Sequence, residues 1–145
     1  MKTIKLVIDD GVLEDYFKYY LTLHPKATVK PIKQPYHESI NVWMIMQRPA
    51  MNGLKRKWKD FIIWLVNERG YANLHIDKCE ISQNIYYNTT RRHDIDNTTP
   101  KFILDGLVEC GMIEDDDSKH LTKLTMQCGV DKQHPRTELR IKILD

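Results

Sequence analysis

One stretch limits the folding options of this chain more than any other. Leu54, Trp58, Phe61, Ile62 and Leu65 recur at i, i+4, i+7, i+8 and i+11, which places five large apolar groups on one side of a 3.6-residue helix. The spacing predicts a helix over Asn52–Glu68, with Asn52 at its start and Gly70 just past its end. Such a stripe is stable in water only when another layer covers it. The longest apolar run, Phe61–Val66, is too short to span a bilayer, so no membrane association is expected.

The rest of the chain offers strands to form that layer. Thr3–Ile8 reads as a strand stopped by Asp9, Asp10 and Gly11, and Val12–Leu23 as a short helix ending before Pro25. A strand is expected within Leu74–Tyr87, with Cys79, Ile81 and Ile85 on one side, and a second helix over Thr99–Cys110 closing at Gly111. Leu121–Cys128 and Thr137–Leu144 alternate in polarity around the turn-forming GVDKQHP, so they read as a C-terminal hairpin. Interspersed strands and helices argue for an α/β (α+β) fold, a mixed β-sheet packed against helices. With 145 residues, 41% hydrophobic and 29% charged, one soluble domain over 1–145 is expected. Asp9 and Asp10 interrupt the N-terminal apolar patch too early for a signal peptide, which makes the cytoplasm the expected compartment. Cys79, Cys110 and Cys128 are scattered without a CxxC pair, and read as buried free thiols.

Charge is unevenly spread. Asp94 to Ser118 holds eight acidic residues and one basic residue, Lys101. The totals of 22 basic and 20 acidic residues leave 21 and 12 elsewhere, a net of +9. An acidic island in a basic chain is the pattern of a polyanion-binding protein built around a metal-dependent site, and equally of a solvated acidic loop. In an extended chain Asp94 and Asp96 project to the same side, with Ile95 turned to the core. Glu114–Asp117 follows the second helix, and about five extended residues, roughly 17 Å, would carry that run back toward them. Clustered carboxylates suit Mg²⁺ or Mn²⁺ and phosphodiester hydrolysis. Lys101 would then sit at the scissile phosphate, or simply pair with Asp105 one turn on. Calcium binding by an EF-hand loop is disfavoured, because the glycine at its sixth position and the glutamate at its twelfth are missing.

Taken whole, RRHDIDNTTPKFILDGLVECGMIEDDD resembles the signature of the RusA-type Holliday junction resolvases. The matching pattern is Asp94-x-Asp96-Asn97, Lys101, Leu104–Leu107, Gly111 and Asp115-Asp116. Ser39–Trp43 is similar to the family's upstream S-x-N-x-aromatic stretch, whereas residues 10–35 have no counterpart and read as a possible insertion. The resemblance implies a RusA-like homodimer that resolves four-way junction DNA by paired symmetric cuts. Asp94, Asp96 and Asp116 would be the Mg²⁺ carboxylates (Asp115 the second choice within the run), and Lys101 the catalytic lysine. Pro100 and Asp117 depart from the family pattern. Arg48, Lys55, Arg56, Lys57, Lys59, Arg91 and Arg92 are the expected phosphate contacts. Two rival readings are a non-catalytic phage-type DNA-binding protein and a nuclease for other branched nucleic acids. Trp58, Phe61 and Leu65 are expected in the core. Trp43 and Tyr36 are also expected there, rather than as stacking or wedge residues.

Overall fold

The structure, a computed structural model, describes residues 2–144. Strand β1 (Thr3–Asp9) leads into helix α1 (Asp10–Leu23), where the Val12 amide donates to Asp9 Oδ1 at 2.8 Å and so caps the helix. A short helix α2 (Ile40–Trp43) precedes the long α3 (Arg48–Glu68). The apolar stripe of α3 is buried as its spacing demands: Trp58, Phe61, Ile62, Leu65 and Val66 are all fully enclosed. The helix begins four residues before Asn52, because Pro49 in the first turn needs no amide partner there.

Strand β2 (Lys78–Tyr87) buries every second residue, Cys79, Ile81, Gln83, Ile85 and Tyr87. A 3-10 turn (Ile95–Thr98) and helix α4 (Lys101–Glu109) follow, then strands β3 (Leu121–Val130) and β4 (Arg136–Leu144). The four strands form one mixed sheet in the order β1-β4-β2-β3. Its helix-facing side buries Ile4, Leu6, Ile8, Ile81, Leu139 and Ile141 against α3 and α4. The fold is thus α+β, one domain with helices on a mixed sheet.

The expected C-terminal hairpin does not form. β4 lies between β1 and β2, antiparallel to both, and β3 pairs parallel to β2 on the far edge. The linker after β3 crosses the end of β2, where the Asp131 amide donates to the Tyr87 carbonyl at 2.9 Å. Burial decides the order. β2 and β4 are enclosed and take the central places, while β3, whose Leu124, Met126 and Cys128 are only half-buried, takes an edge. Residues 10–35 are part of the fold, since Val12, Leu13, Tyr16 and Ile32 join the core. Cys79 and Cys110 are buried free thiols and Cys128 is half-buried.

Helix α4 reaches the sheet through a tight crossing with α3. A Cβ on Gly106 would lie 2.7 Å from Ile62 Cβ and 2.8 Å from its Cγ2, so only glycine lets the helices approach this closely. Gly111 then turns the chain with φ +73. Beyond it, residues 112–114 run beside Ile76, held by Ile76 N–H to Met112 O at 3.0 Å and Glu114 N–H to Ile76 O at 2.9 Å.

Two glycine substitutions should separate packing from helix propensity. Gly106→Ala should lower stability, because overpacking costs typically about 1–3 kcal/mol against a propensity gain of about 1 kcal/mol. Gly53→Ala in α3, where a Cβ meets nothing within 4 Å, should raise it by up to about 1 kcal/mol. Urea midpoints of the two variants would check both signs.

Candidate functional site

The site is organised by the segment before α2. Phe102 lies in the first turn of α4, where amides lack intrahelical partners and Pro100 offers no side-chain cap. Its N–H donates instead to His37 Nε2 at 3.0 Å. That bond makes Nε2 the acceptor, so Nδ1 carries the proton and donates to the Glu38 carbonyl at 2.7 Å. Glu38 also accepts from Trp58 Nε1 at 2.7 Å, which ties the segment to α3. The His37 ring packs between Trp58 and Phe102. Burial holds its pKa down to about 4, against smaller upward influences from the Glu38 carbonyl and Asp105.

The D-x-D-N segment lies opposite. β2 stops at Tyr87, and Asn88–His93 is polar and exposed, with the His93 ring stacked on Tyr87 at 3.6 Å. Asp94 therefore stands well past the strand, as the extended residue preceding the 3-10 turn, and Asp96 lies inside that turn. A 3-10 turn rotates about 120° per residue, so the two carboxylates lose the shared side expected of an extended chain. Ile95, expected in the core, is 48% exposed. The turn is anchored from beneath: buried Gln83 Nε2 donates to the Thr98 carbonyl at 2.8 Å, and Thr98 Oγ1 donates to the Ile95 carbonyl at 2.6 Å. Between the two segments runs a cleft of about 440 Å³ lined by Ser39, Asn41, Arg91, Arg92, Asp94 and Asn97, among others.

A second group forms along α4. Lys101 Nζ is 3.8 Å from Asp105 Oδ1, and Lys55 Nζ is 3.7 Å from Asp105 Oδ2. The acidic run does return toward the start of this helix. Asp116 is half-buried, and burial raises its carboxyl pKa, with Lys101 opposing and Asp115 and Asp105 adding to the rise. Its amide donates to Asp115 Oδ1 at 2.7 Å. Asp105 entered the sequence reading only as an ion-pair partner of Lys101. Its place between two lysines, with Oδ2 buried and without a hydrogen bond among the described residues, was signalled only by the i, i+4 spacing to Lys101 and Glu109.

The structure thus brings Lys101, Asp115 and Asp116 together with Asp105, and Asp94 together with Arg91 and Arg92. It does not gather Asp94, Asp96 and Asp116: among the described residues, no three His, Cys, Asp or Glu side chains form a group that holds a metal ion.

Of the expected phosphate contacts, Arg48, Arg56, Lys57, Arg91 and Arg92 are exposed. Arg92 Nε lies 3.5 Å from Asp94 Oδ1. Lys55 and Lys59 face α4, where Lys59 pairs with Glu109 at 3.6 Å, so both are engaged within the fold. Trp43 and Tyr36 are partly buried, against Phe102 and Tyr87 respectively. No helix among the described residues is long and apolar enough to cross a membrane. No protein-family model matches this chain, and no curated protein matches it.

His37 gives the site a pH signature. The native ring stays neutral down to about pH 4, whereas an unfolded histidine takes up its proton near 6.5. The unfolded chain then binds more protons between those values, so stability is complete above 6.5 and falls as pH drops toward 4. The loss attributable to His37 should be on the order of 3 kcal/mol. Urea unfolding of the wild type beside His37→Gln, which retains an acceptor and a donor but no titration, should show a shallower decline in the variant.

Proposed function

We propose that this chain is a structure-selective endodeoxyribonuclease of the RusA type, acting as a homodimer on four-way junction DNA with Mg²⁺ as cofactor. One observation carries the reading. Two of the stretches that bear the resemblance, far apart in sequence on either side of α3 and β2, contribute to one cleft: Ser39, Asn41 and Val42 from the first, and Arg91, Arg92, Asp94 and Asn97 from the second. Arg91 and Arg92 beside that cleft, with Arg48 and Arg56 on α3, suit phosphate contacts that position a duplex without reading its bases. A two-fold dimer would present equivalent clefts to opposed strands of a two-fold junction.

The parts of the chain have separable tasks in this reading. His37 and Gln83, both buried, fix the two walls of the cleft through Phe102 and Thr98. Lys101 stands at the start of α4 beside Asp105 and Asp116, where it offers positive charge to a phosphate or balances the two acids. Among the described residues Asp94, Asp96 and Asp116 form no metal-holding group within one chain, so no hydrolytic step is assigned to an ion. A second reading, a DNA-binding protein without cleavage activity, draws on the same cleft lined by Arg91 and Arg92.

Incubating the chain with a synthetic mobile four-way junction, a flap and a linear duplex, each with and without Mg²⁺, separates these readings. Symmetric Mg²⁺-dependent cuts are expected on the junction alone, falling at least about a hundredfold in Asp96→Asn while binding persists. Binding without cutting under every condition would leave the non-catalytic reading. Cutting of the flap would widen the substrate class. Junction affinity should fall steeply and log-linearly with added salt, and a flat response would remove the basic surface from the proposal.

A further inference from the structure

Helix α1 and the second half of α3 flank a cavity that shares no lining residue with the cleft. Tyr16, Tyr19, Tyr20 and Leu23 recur at i, i+3, i+4 and i+7 along α1, which sets three aromatic rings on one side of the helix. Tyr16 is buried against Phe61 and Trp64, with ring centroids 5.0 and 5.2 Å away. Tyr19 lies 6.2 Å from both Tyr16 and Trp64 yet stays 44% exposed, and Leu23 stays 61% exposed. Pro31 also lines the space, on a segment that Lys30 ties back to Glu14 of α1 through an ion pair. The result is a concave site of about 500 Å³, a size typical of small-molecule pockets, with aromatic rings along its walls.

Its polar groups select the ligand. Asp60 and Glu68, both exposed, stand on the α3 side eight residues apart. Neither belongs to an ion pair among the described residues. Asn67 is turned back on its own helix, its Nδ2 donating to the Ile63 carbonyl at 2.9 Å. Lys57 is the one lysine or arginine on the lining, and His24 the one histidine. Burial first, and then the nearby Asp60 carboxylate, push the Tyr16 phenol pKa above its ordinary value, so the hydroxyl stays protonated beside the acid. A cation gains from both features, because ring faces and carboxylates each attract positive charge. An anion would meet two acids with only Lys57 to offset them, and a neutral apolar guest would gain nothing from the acids.

We propose that this cavity binds a free organic cation with an apolar body, of the quaternary or arylalkyl ammonium class. Tyr19 and Trp64 hold the ammonium group by cation–π attraction, Asp60 and Glu68 balance its charge, and Leu23 and Pro31 cover its apolar part. Helix α1 lies within residues 10–35, which carry none of the resemblance, so the site stands independently of the DNA-processing reading.

The test titrates the full chain with benzyltrimethylammonium, and in parallel with benzyl alcohol and benzenesulfonate, which keep the ring and lack the cation. Calorimetry and tryptophan fluorescence report binding. The cation should bind saturably and at least about tenfold more tightly than either comparison. Asp60→Asn and Tyr19→Leu, both at exposed positions, should each weaken it roughly three- to tenfold while leaving benzyl alcohol unchanged. Lys57→Gln, which removes the competing positive charge, should tighten it, and keeps the test decisive if either other variant fails to fold. Trp64→Phe should lose the fluorescence response while calorimetry still records binding. Absence of saturable binding, equal binding of the three ligands, or wild-type affinity in the Asp60, Tyr19 and Lys57 variants overturns the site. Binding of an arginine-rich peptide without any response to the free cation would assign the cavity to a protein partner and also overturn it. Junction binding and cutting are read separately, so the failure of either proposal leaves the other standing.

Discussion

The crossing of α4 over α3 at Gly106 is the contact on which the remaining architecture leans. With no side chain at that position, the α4 backbone settles against Ile62, itself fully enclosed by the sheet. Phe102, Ile103 and Leu107 then reach the core, and burial of side chains of this size contributes roughly 1.5–3 kcal/mol each. The same approach brings Asp105 to Lys55 and Glu109 to Lys59. Those ion pairs are partly exposed and add little stability, but they orient the polar edge of the helix pair. Lifting α4 by the width of a methyl group would disturb the Phe102 amide, its His37 acceptor and the position of Lys101 together.

Polar groups buried beneath the cleft provide its second constraint. His37, Gln83 and Thr137 are enclosed, and each holds a piece of irregular backbone: the first turn of α4, the end of the 3-10 turn, and the carbonyl of Pro35. Irregular segments cannot satisfy their own backbone groups as helices and ladders do, so a side chain from a rigid element must do it. The two cleft walls are thereby fixed to β2, β4 and α4, while Asn88–Asp96 above them remains in solvent. The charged residues face water or one another, and the anchors stay neutral.

Much of this was legible in the chain. The stripe from Leu54 to Leu65, the alternation through β2, and Gly111 at the end of α4 each follow from local stereochemistry, and each element formed close to its expected bounds. The misreadings share one cause. A short polar linker before β4 looked like a hairpin turn, and Asp94 with Asp96 looked like the end of a strand, because both readings used only neighbouring residues. What displaced them was competition at long range: β4 is better buried between β1 and β2, and the polar run after Tyr87 has no apolar alternation with which to extend the strand.

By itself the sequence determined where the main helices and strands form, that they layer into an α+β domain, and that the α3 stripe and alternate residues of β2 enter the core, since periodicity and turn chemistry are properties of adjacent residues. Only the tertiary structure decided that β4 divides β2 from β1, that His37 caps a helix far along the chain, that Asp116 joins Lys101 and Asp105, and that Asp94 faces Arg92 instead. Such pairings depend on which surfaces outcompete others for burial and on how closely two helices can approach, and no local pattern encodes either.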